Sequence, residues 1–520
     1  MANPSDASAE AFARTILEGF RFAGAPVPLG GAMHAGECHP ELKVAAALAL
    51  MNRHGLVAGA TGTGKTKTLQ GMAEQLSAVG VPVFLADLKG DLSGLATPGE
   101  ASPKVAERAQ SLGISFRPQG FPVEFLSLTG KRGAAMRATV ADFGPLLLAK
   151  ALDLNDTQAS VLALVFKFAD DQQLPLLDLA DLRAVVSWLA GDDPPDLSQY
   201  GGLSKSTAGV LVRKLTELEL QGAGEFFGEP AFDVHDLLRT ASDGRGVISI
   251  LELSDVQDRP RLFSTFLMWL LAELYEELPE RGDTDKPLLV FFFDEAHYLF
   301  DDASKALTEQ ITQVVRLIRS KGVGIFFVTQ TPSDVPSPVL EQLGNRIQHA
   351  LRAFTPNDAK ALKATVSTFP TTPFYDLAET LTTLAIGEAV VSVLAESGSP
   401  APVVATRMLP PASRMAPLSD AEFASAIAGS PLATKLAQAI DRESARELLA
   451  ARTGRGETTS APAGSAPAPD PPHGKAAPTT GAAVVAAAGS ILGGLLKFAT
   501  SRRGQTLIRG VLGTPTRRRR

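Results

Sequence analysis

Short runs of nearly unbroken apolar residues recur along the chain, at 56–58, 81–86, 246–253, 288–293 and 324–329. The run at 288–293, Leu-Leu-Val-Phe-Phe-Phe, is the most hydrophobic. Apolarity without alternation predicts strands buried on both faces, as inside a parallel sheet. Several runs stop on polar residues: Asp87 after 81–86, Asp294 and Glu295 after 288–293, and Gln330 after 324–329. In a parallel sheet such residues reach the carboxyl edge, where ligands bind. Further strands are expected at 114–116, 123–128 and 347–351, with 384–393 and 403–409 closing the sheet as an edge hairpin. Between the runs lie helical spacings. Residues 260–278 place Phe263, Phe266, Leu267, Leu270, Leu271 and Leu274 along one side, and 304–320 carries Arg316 and Arg319. Strand and helix in turn predict an α/β domain with a mainly parallel sheet.

The pattern changes over 134–240. Residues 143–154, 157–169, 179–189 and 204–220 repeat at helical spacing, with Asn155-Asp156 and Leu203-Ser204 as caps. This reads as an all-helical insertion whose Asp170, Asp171, Asp178 and Asp181 lie on solvated faces. It separates the first part of the core, 31–133, from the second, 241–410. Residues 1–30 read as a leader, 31–58 as a small β element followed by the P-loop strand, and 411–452 as polar C-terminal helices. Residues 453–480, rich in Ala, Pro, Gly and Ser, read as a flexible linker. The remainder, 481–520, reads as a small-residue helix with a basic tail, packing on a partner or on the body rather than spanning a membrane.

Composition narrows the partners. A length of 520 residues predicts more than one domain. The net charge of −7 excludes a global cationic field, so any nucleic-acid contact must be local. Cys38 is the single cysteine, which excludes a disulfide framework and a cysteine-based zinc cluster and fits a reducing cytoplasm. Cys38-His39 reads as an ordinary loop. Residues 1–20 lack the apolar core of a signal peptide.

The chemistry concentrates after the first apolar run, which enters Gly59-Ala60-Thr61-Gly62-Thr63-Gly64-Lys65-Thr66-Lys67, the full P-loop spelling. Glycines at 59, 62 and 64 let successive N–H groups turn inward around a phosphate. Lys65 would reach the β- and γ-phosphates, the Thr66 hydroxyl would ligate Mg²⁺, and the following helix aims its positive end at the anion. A nucleoside triphosphate is the expected ligand. Asp294 would hold the magnesium through water, and Glu295 would activate the attacking water. Gln330 is placed to sense the γ-phosphate. Asp87 either orients water or magnesium or caps a turn, and His297 packs or caps the next helix. Arg53, Arg316, Arg319, Arg346 and Arg352 fall near strand ends or subunit edges. Stabilising transition-state charge usually needs a cation beyond the P-loop lysine, so at least one is expected to contact phosphate.

The residues 52–66 (Asn-Arg-His-Gly-Leu-Val-Ala-Gly-Ala-Thr-Gly-Thr-Gly-Lys-Thr), 86–94 (Ala-Asp-Leu-Lys-Gly-Asp-Leu-Ser-Gly), 142–148 (Asp-Phe-Gly-Pro-Leu-Leu-Leu) and 154–158 (Leu-Asn-Asp-Thr-Gln) resemble the bacterial YjgR-type branch of the HerA/FtsK ATPases. The resemblance covers residues 20–410 and the end of the chain. It implies a RecA-like core that hydrolyses ATP, assembled as a homo-oligomeric, hexameric ring acting on double-stranded DNA, with the site between subunits. It also implies a functional role for Arg319, and for Arg53 as a finger toward a neighbour. The residues ahead of the P-loop are too few for the β-barrel domain that HerA translocases carry there. An alternative follows: a nucleotide-gated assembly ATPase that recruits a protein partner through the helical insertion or the tail.

Overall fold

The computed structural model describes residues 4–282, 284–300, 305–438, 440 and 442–452. The expected linker and tail, 453–520, lie outside the described residues. Contacts divide the chain into two units, Met1–Ala138 with Gln221–Ile440, and Thr139–Leu220 with Asp441–Arg520.

The first unit is built on a 12-stranded sheet. Its strands in chain order are β1 (Pro26–His34), β2 (Glu37–Ala47), β3 (Gly55–Ala58), β4 (Val83–Asp87), β5 (Val123–Ser127), β6 (Ala134–Ala135), β7 (Ile248–Glu252), β8 (Leu289–Phe293), β9 (Val323–Thr329), β10 (Asn345–His349), β11 (Glu388–Ser392) and β12 (Val404–Met408). The spatial order is β2-β1-β12-β11-β10-β3-β9-β8-β4-β7-β5-β6. From β10 through β6 every pairing is parallel; from β11 through β2 every pairing is antiparallel. β9 separates the P-loop strand β3 from β8, which ends in the paired acids. That interposed strand gives the P-loop fold its RecA-like form.

Every residue of β3, β4, β7, β8 and β9 is buried, which accounts for their mostly apolar sequences. Aromatic rings lock the central strands together. Phe84 packs on Phe291 (4.8 Å between centroids), Phe292 on Phe326 (5.2 Å) and Phe293 on Phe327 (5.8 Å). Gly55 admits the Phe326 ring, which would lie 2.2 Å from a Cβ at that position.

The structure revises several expectations. Residues 114–116 are a loop rather than a strand. The antiparallel pair β11–β12 is interior; the edge is formed by the hairpin β1–β2, with β1 pairing β12. Cys38 and His39 lie in β2, opposite Met33 and Ala32, rather than in a loop. The helix Pro4–Gly19 buries Phe12 and Ile16 in the same core, with Phe12 stacked on His34 at 4.5 Å.

The second unit consists of helices Val140–Ala151, Asp156–Asp171, Leu179–Leu189, Lys205–Leu218 and Ala445–Arg452. Asn155 caps the second of these through a reciprocal bond with Gln158, and Ser204 caps the fourth. Asp181 is fully buried, not solvated. One oxygen accepts from the N–H groups of Leu177 (3.1 Å) and Asp178 (3.2 Å), and the other from that of Arg446 (3.1 Å). Its role is to join the 445–452 helix to the bundle, which periodicity does not disclose. Among the described residues no helix is long and apolar enough to cross a membrane.

Candidate active site

β3 delivers the chain to Gly59, whose φ of +152° only glycine adopts readily. A Cβ there would also lie 2.5 Å from the Cβ of His349 at the end of β10. Gly64, at φ +111°, turns the backbone into the helix Lys65–Ala78. The loop is fixed from several directions. Gly59 N–H donates to the Gln330 carbonyl (3.1 Å), Ala60 N–H to that of Ala350 (2.9 Å), and Gly387 N–H to that of Thr63 (2.9 Å). Arg108 braces the last of these, donating to the carbonyls of Gly387 (2.9 Å) and Ile386 (2.7 Å). His349 lies beneath the loop with Nε2 3.0 Å from Thr68 Oγ1, and burial lowers its pKa to about 4, keeping it neutral. Thr61 and Gly62 remain exposed at the mouth.

The P-loop helix is held by residues 412–415. Glu74 accepts from the N–H groups of Ala412 (2.7 Å) and Ser413 (3.0 Å), and Gln70 donates to the Arg414 carbonyl (3.0 Å). Lys67 donates to the Met415 carbonyl (2.5 Å) and to Gln70 (3.1 Å). The Lys67 side chain is therefore engaged within the protein, and what it leaves to a ligand is its backbone N–H in the first helical turn.

The acidic partners arrive on adjacent strands. Lys65 is buried and donates Nζ to the carbonyls of Gly59 (2.7 Å) and Ala60 (3.3 Å). Burial lowers its pKa, while the nearby charges of Glu295 and Asp294 raise it. Asp294 and Glu295 are each 5% exposed. One Asp294 oxygen accepts from Glu295 N–H (3.0 Å); the other is buried without a hydrogen-bond partner among the described residues. Burial first, then repulsion from Glu295, Asp87 and Asp91, pushes the Asp294 carboxyl up to about 7. Glu295 takes a left-handed φ of +48° and pairs with Lys89. His297 Nδ1 lies 3.4 Å from the second Glu295 oxygen, out of line for a hydrogen bond.

Asp87, at the end of β4, is fully buried. It accepts from the N–H groups of Lys89 (3.2 Å), Gly90 (2.8 Å) and Leu92 (2.8 Å), so it shapes the turn that carries Lys89. Burial raises its pKa to about 6. Gln330 is exposed just past β9, level with Gly59 because Ala58 pairs with Thr329.

The structure thus gathers the P-loop, Lys65, Thr66, Asp87, Asp294, Glu295 and Gln330 on the carboxyl edge. Arg53 and Arg319 lie elsewhere. Arg53 precedes β3 and Arg319 precedes β9, so both stand at the amino edge, where both charges reach the buried His54. Arg316 is exposed in the last turn of the helix Lys305–Ile318. Arg346 donates to the Thr368 carbonyl (3.3 Å), and Arg352 is exposed in the loop after β10.

Several site residues escaped the reading of the sequence. Lys89 lies within a quoted string but was assigned no role. Glu252 ends β7 beside Asp87, is fully buried, and is pushed up to about 7 by burial and by the Asp87 charge. The signal that found Asp87, an apolar run ending in an acid, marks Glu252 equally. His349 carried no sequence signal beyond its place at a strand end.

A buried carboxylate with a raised pKa and an unpaired oxygen suits a cation. Among the described residues, no three His, Cys, Asp or Glu side chains form a metal cage. A magnesium ion beside Thr66 and Asp294 would therefore complete its shell with water and phosphate, as that ion commonly does. The exposed mouth, the inward-turning loop and the helix N-terminus fit a phosphate chain.

The sequence family described as "Helicase HerA-like C-terminal" matches residues 33–520. A "DNA double-strand break repair helicase HerA" from Sulfurisphaera tokodaii is 26% identical over 190 residues, covering 36% of this chain and 36% of that protein. Among solved structures, the bacterial conjugative coupling protein TrwBdeltaN70 is 14% identical with a TM-score of 0.49, covering 79% of this chain and 94% of its own. VirB4 of Thermoanaerobacter pseudethanolicus is 14% identical with a TM-score of 0.48, covering 74% and 97%. With a family match over nearly its whole length, and a P-loop facing paired carboxylates across one sheet edge, the chain belongs to the HerA-like helicase C-terminal family.

Proposed function

We propose that this chain is a Mg²⁺-dependent ATP hydrolase that assembles as a homo-oligomeric ring, a hexamer, on double-stranded DNA in the cytoplasm. The observation that carries the catalytic half is the convergence of Lys65, Asp294, Glu295 and Gln330 beside the P-loop. Backbone N–H groups of Gly59–Lys67 would hold the phosphates, and Lys65 would exchange its two carbonyl partners for β- and γ-phosphate oxygens. Thr66 and Asp294 would hold the magnesium, which when bound neutralises charge on those oxygens. Glu295 would accept the proton of the attacking water, and Gln330 would orient that water against the γ-phosphate. Asp87 positions the turn beside them.

Within one chain Arg53 and Arg319 stand on the wrong edge for this chemistry, which supports their acting in a neighbour's site. Arg53→Ala and Arg319→Ala should each slow turnover on the order of 10³-fold. Mixing either variant with Lys65→Ala chains should restore activity, since a shared site then has one intact pair of contributors. Failure of every mixture to recover, with normal assembly, would assign both arginines to packing.

The DNA half rests on family membership and on the relative named as a DNA-repair helicase. Steady-state ATP turnover measured with linear duplex DNA tests it. Turnover should rise several-fold at low salt, and the rise should fade as salt increases, because a protein with a charge of −7 must bind DNA through local basic patches. Turnover unmoved by duplex DNA, alongside nucleotide-dependent assembly, supports instead an assembly ATPase that recruits a protein partner.

A further inference from the structure

Lys89 is presented by a turn held from both sides. Asp87 accepts three backbone N–H groups of the turn from within, and Gln257 Nε2 donates to the Leu88 carbonyl at 2.5 Å. Gly90 closes the turn at φ +73°. A side chain on such a base starts from a fixed position, and this one runs to Glu295, donating Nζ to Oε1. The pair has one wet end and one dry end: the Lys89 side chain is 47% exposed and that of Glu295 5%. Glu295 also holds a left-handed backbone, a conformation a non-glycine residue keeps only when its surroundings fix it. The Lys89 charge is close enough to be felt at Lys65, whose own Nζ rests on the Gly59 and Ala60 carbonyls. Two lysines therefore border one phosphate site, each engaged by an acceptor of the protein itself.

We infer that Lys89 is a second phosphate-binding lysine, which exchanges its Glu295 partner for the γ-phosphate when ATP binds. A γ-phosphate offers more negative charge and more acceptor oxygens than the single carboxylate oxygen that Lys89 now holds. Because Lys89 is half exposed, its head can move without opening the core. Its departure leaves Oε1 of Glu295 as an unoccupied acceptor facing the site, where the attacking water needs one. ADP has no γ-phosphate and leaves the pair in place. The exchange thus ties readiness of the base to the presence of substrate; this consequence rests on Glu295 being the base.

The test is equilibrium binding of Mg-ADP and of a magnesium-bound, non-hydrolysable ATP analogue to the full-length protein. Lys89→Met, which keeps the aliphatic stem, should lose roughly tenfold to a hundredfold in affinity for the analogue, the scale of a hydrogen bond between charged groups. Affinity for ADP should be unchanged, and Lys89→Arg should restore most of the analogue binding. Glu295→Gln weakens the competing partner and removes a charge that repels phosphate, so it should bind the analogue more tightly. The gain should be smaller in the Lys89→Met/Glu295→Gln double variant, where only the relief of repulsion is left. Equal losses for ADP and the analogue, or no loss for either, would overturn the inference and leave Lys89 a brace. Hydrolysis by Glu295→Gln would remove Glu295 as base, while the ADP-to-analogue ratio would still decide the role of Lys89.

Discussion

Glu295→Gln should bind Mg-ATP and turn it over on the order of 10²- to 10⁴-fold more slowly than the native chain, the usual contribution of a positioned general base. The substitution preserves shape and removes the proton-accepting oxygen. Glu295 is the acid at this edge best placed for that task. Asp87 spends both oxygens on backbone N–H groups. Asp294 spends one on Glu295 N–H, and the other, buried without a hydrogen-bond partner among the described residues, suits a cation. Glu252 is fully buried beside Arg132, 3.5 Å away, without direct access to the mouth. Glu295 pairs with Lys89, whose side chain is 47% exposed and can leave. Release of phosphate measured over a single turnover checks this directly. A variant that hydrolyses at a near-native rate would transfer the proton to another acceptor.

Lys65→Ala should lower ATP affinity by about a hundredfold or more, since two charge-assisted contacts to phosphate are lost together. The geometry explains why the effect is concentrated there. Lys65 carries the ammonium buried deepest against the loop, at 7% exposure, and the carboxylates of residues 294 and 295 oppose any phosphate that arrives without it. Loss of the lysine leaves that repulsion uncompensated. Titration with a fluorescent ATP analogue reads the change, and retention of native affinity would mean that the loop amides suffice.

How much of this arrangement was legible in the sequence depended on whether the signal was local. The buried strands declared themselves, because a strand covered on both faces has no polar positions to hide it. The P-loop and Asp294-Glu295 were legible for the same reason: each is a contiguous word. The place of the β1–β2 hairpin at the edge of the sheet was not legible, since only pairing with β12 fixes it. The loop at 114–116 shows the converse: Ile114, Ser115 and Phe116 alternate like a strand but form a loop. Lys89 could be quoted but not given a role, because its partner is 206 residues away in sequence. The 412–415 segment that grips the P-loop helix through Glu74 and Gln70 has no periodic pattern and acts through backbone groups. Asp181 looks like any capping acid until the helix 445–452 is seen to bury it. In each case the missing information is the identity of a distant neighbour.

The central claim is that one edge of one sheet holds both the triphosphate and its metal. A structure of the full-length protein with a non-hydrolysable ATP analogue and Mn²⁺, located by its anomalous signal, tests it most directly. The account predicts the metal next to Thr66, with Asp294 reaching it directly or through water, and Lys65 on the terminal phosphates. Nucleotide bound away from Gly59–Lys67, or a metal remote from Asp294, would contradict it.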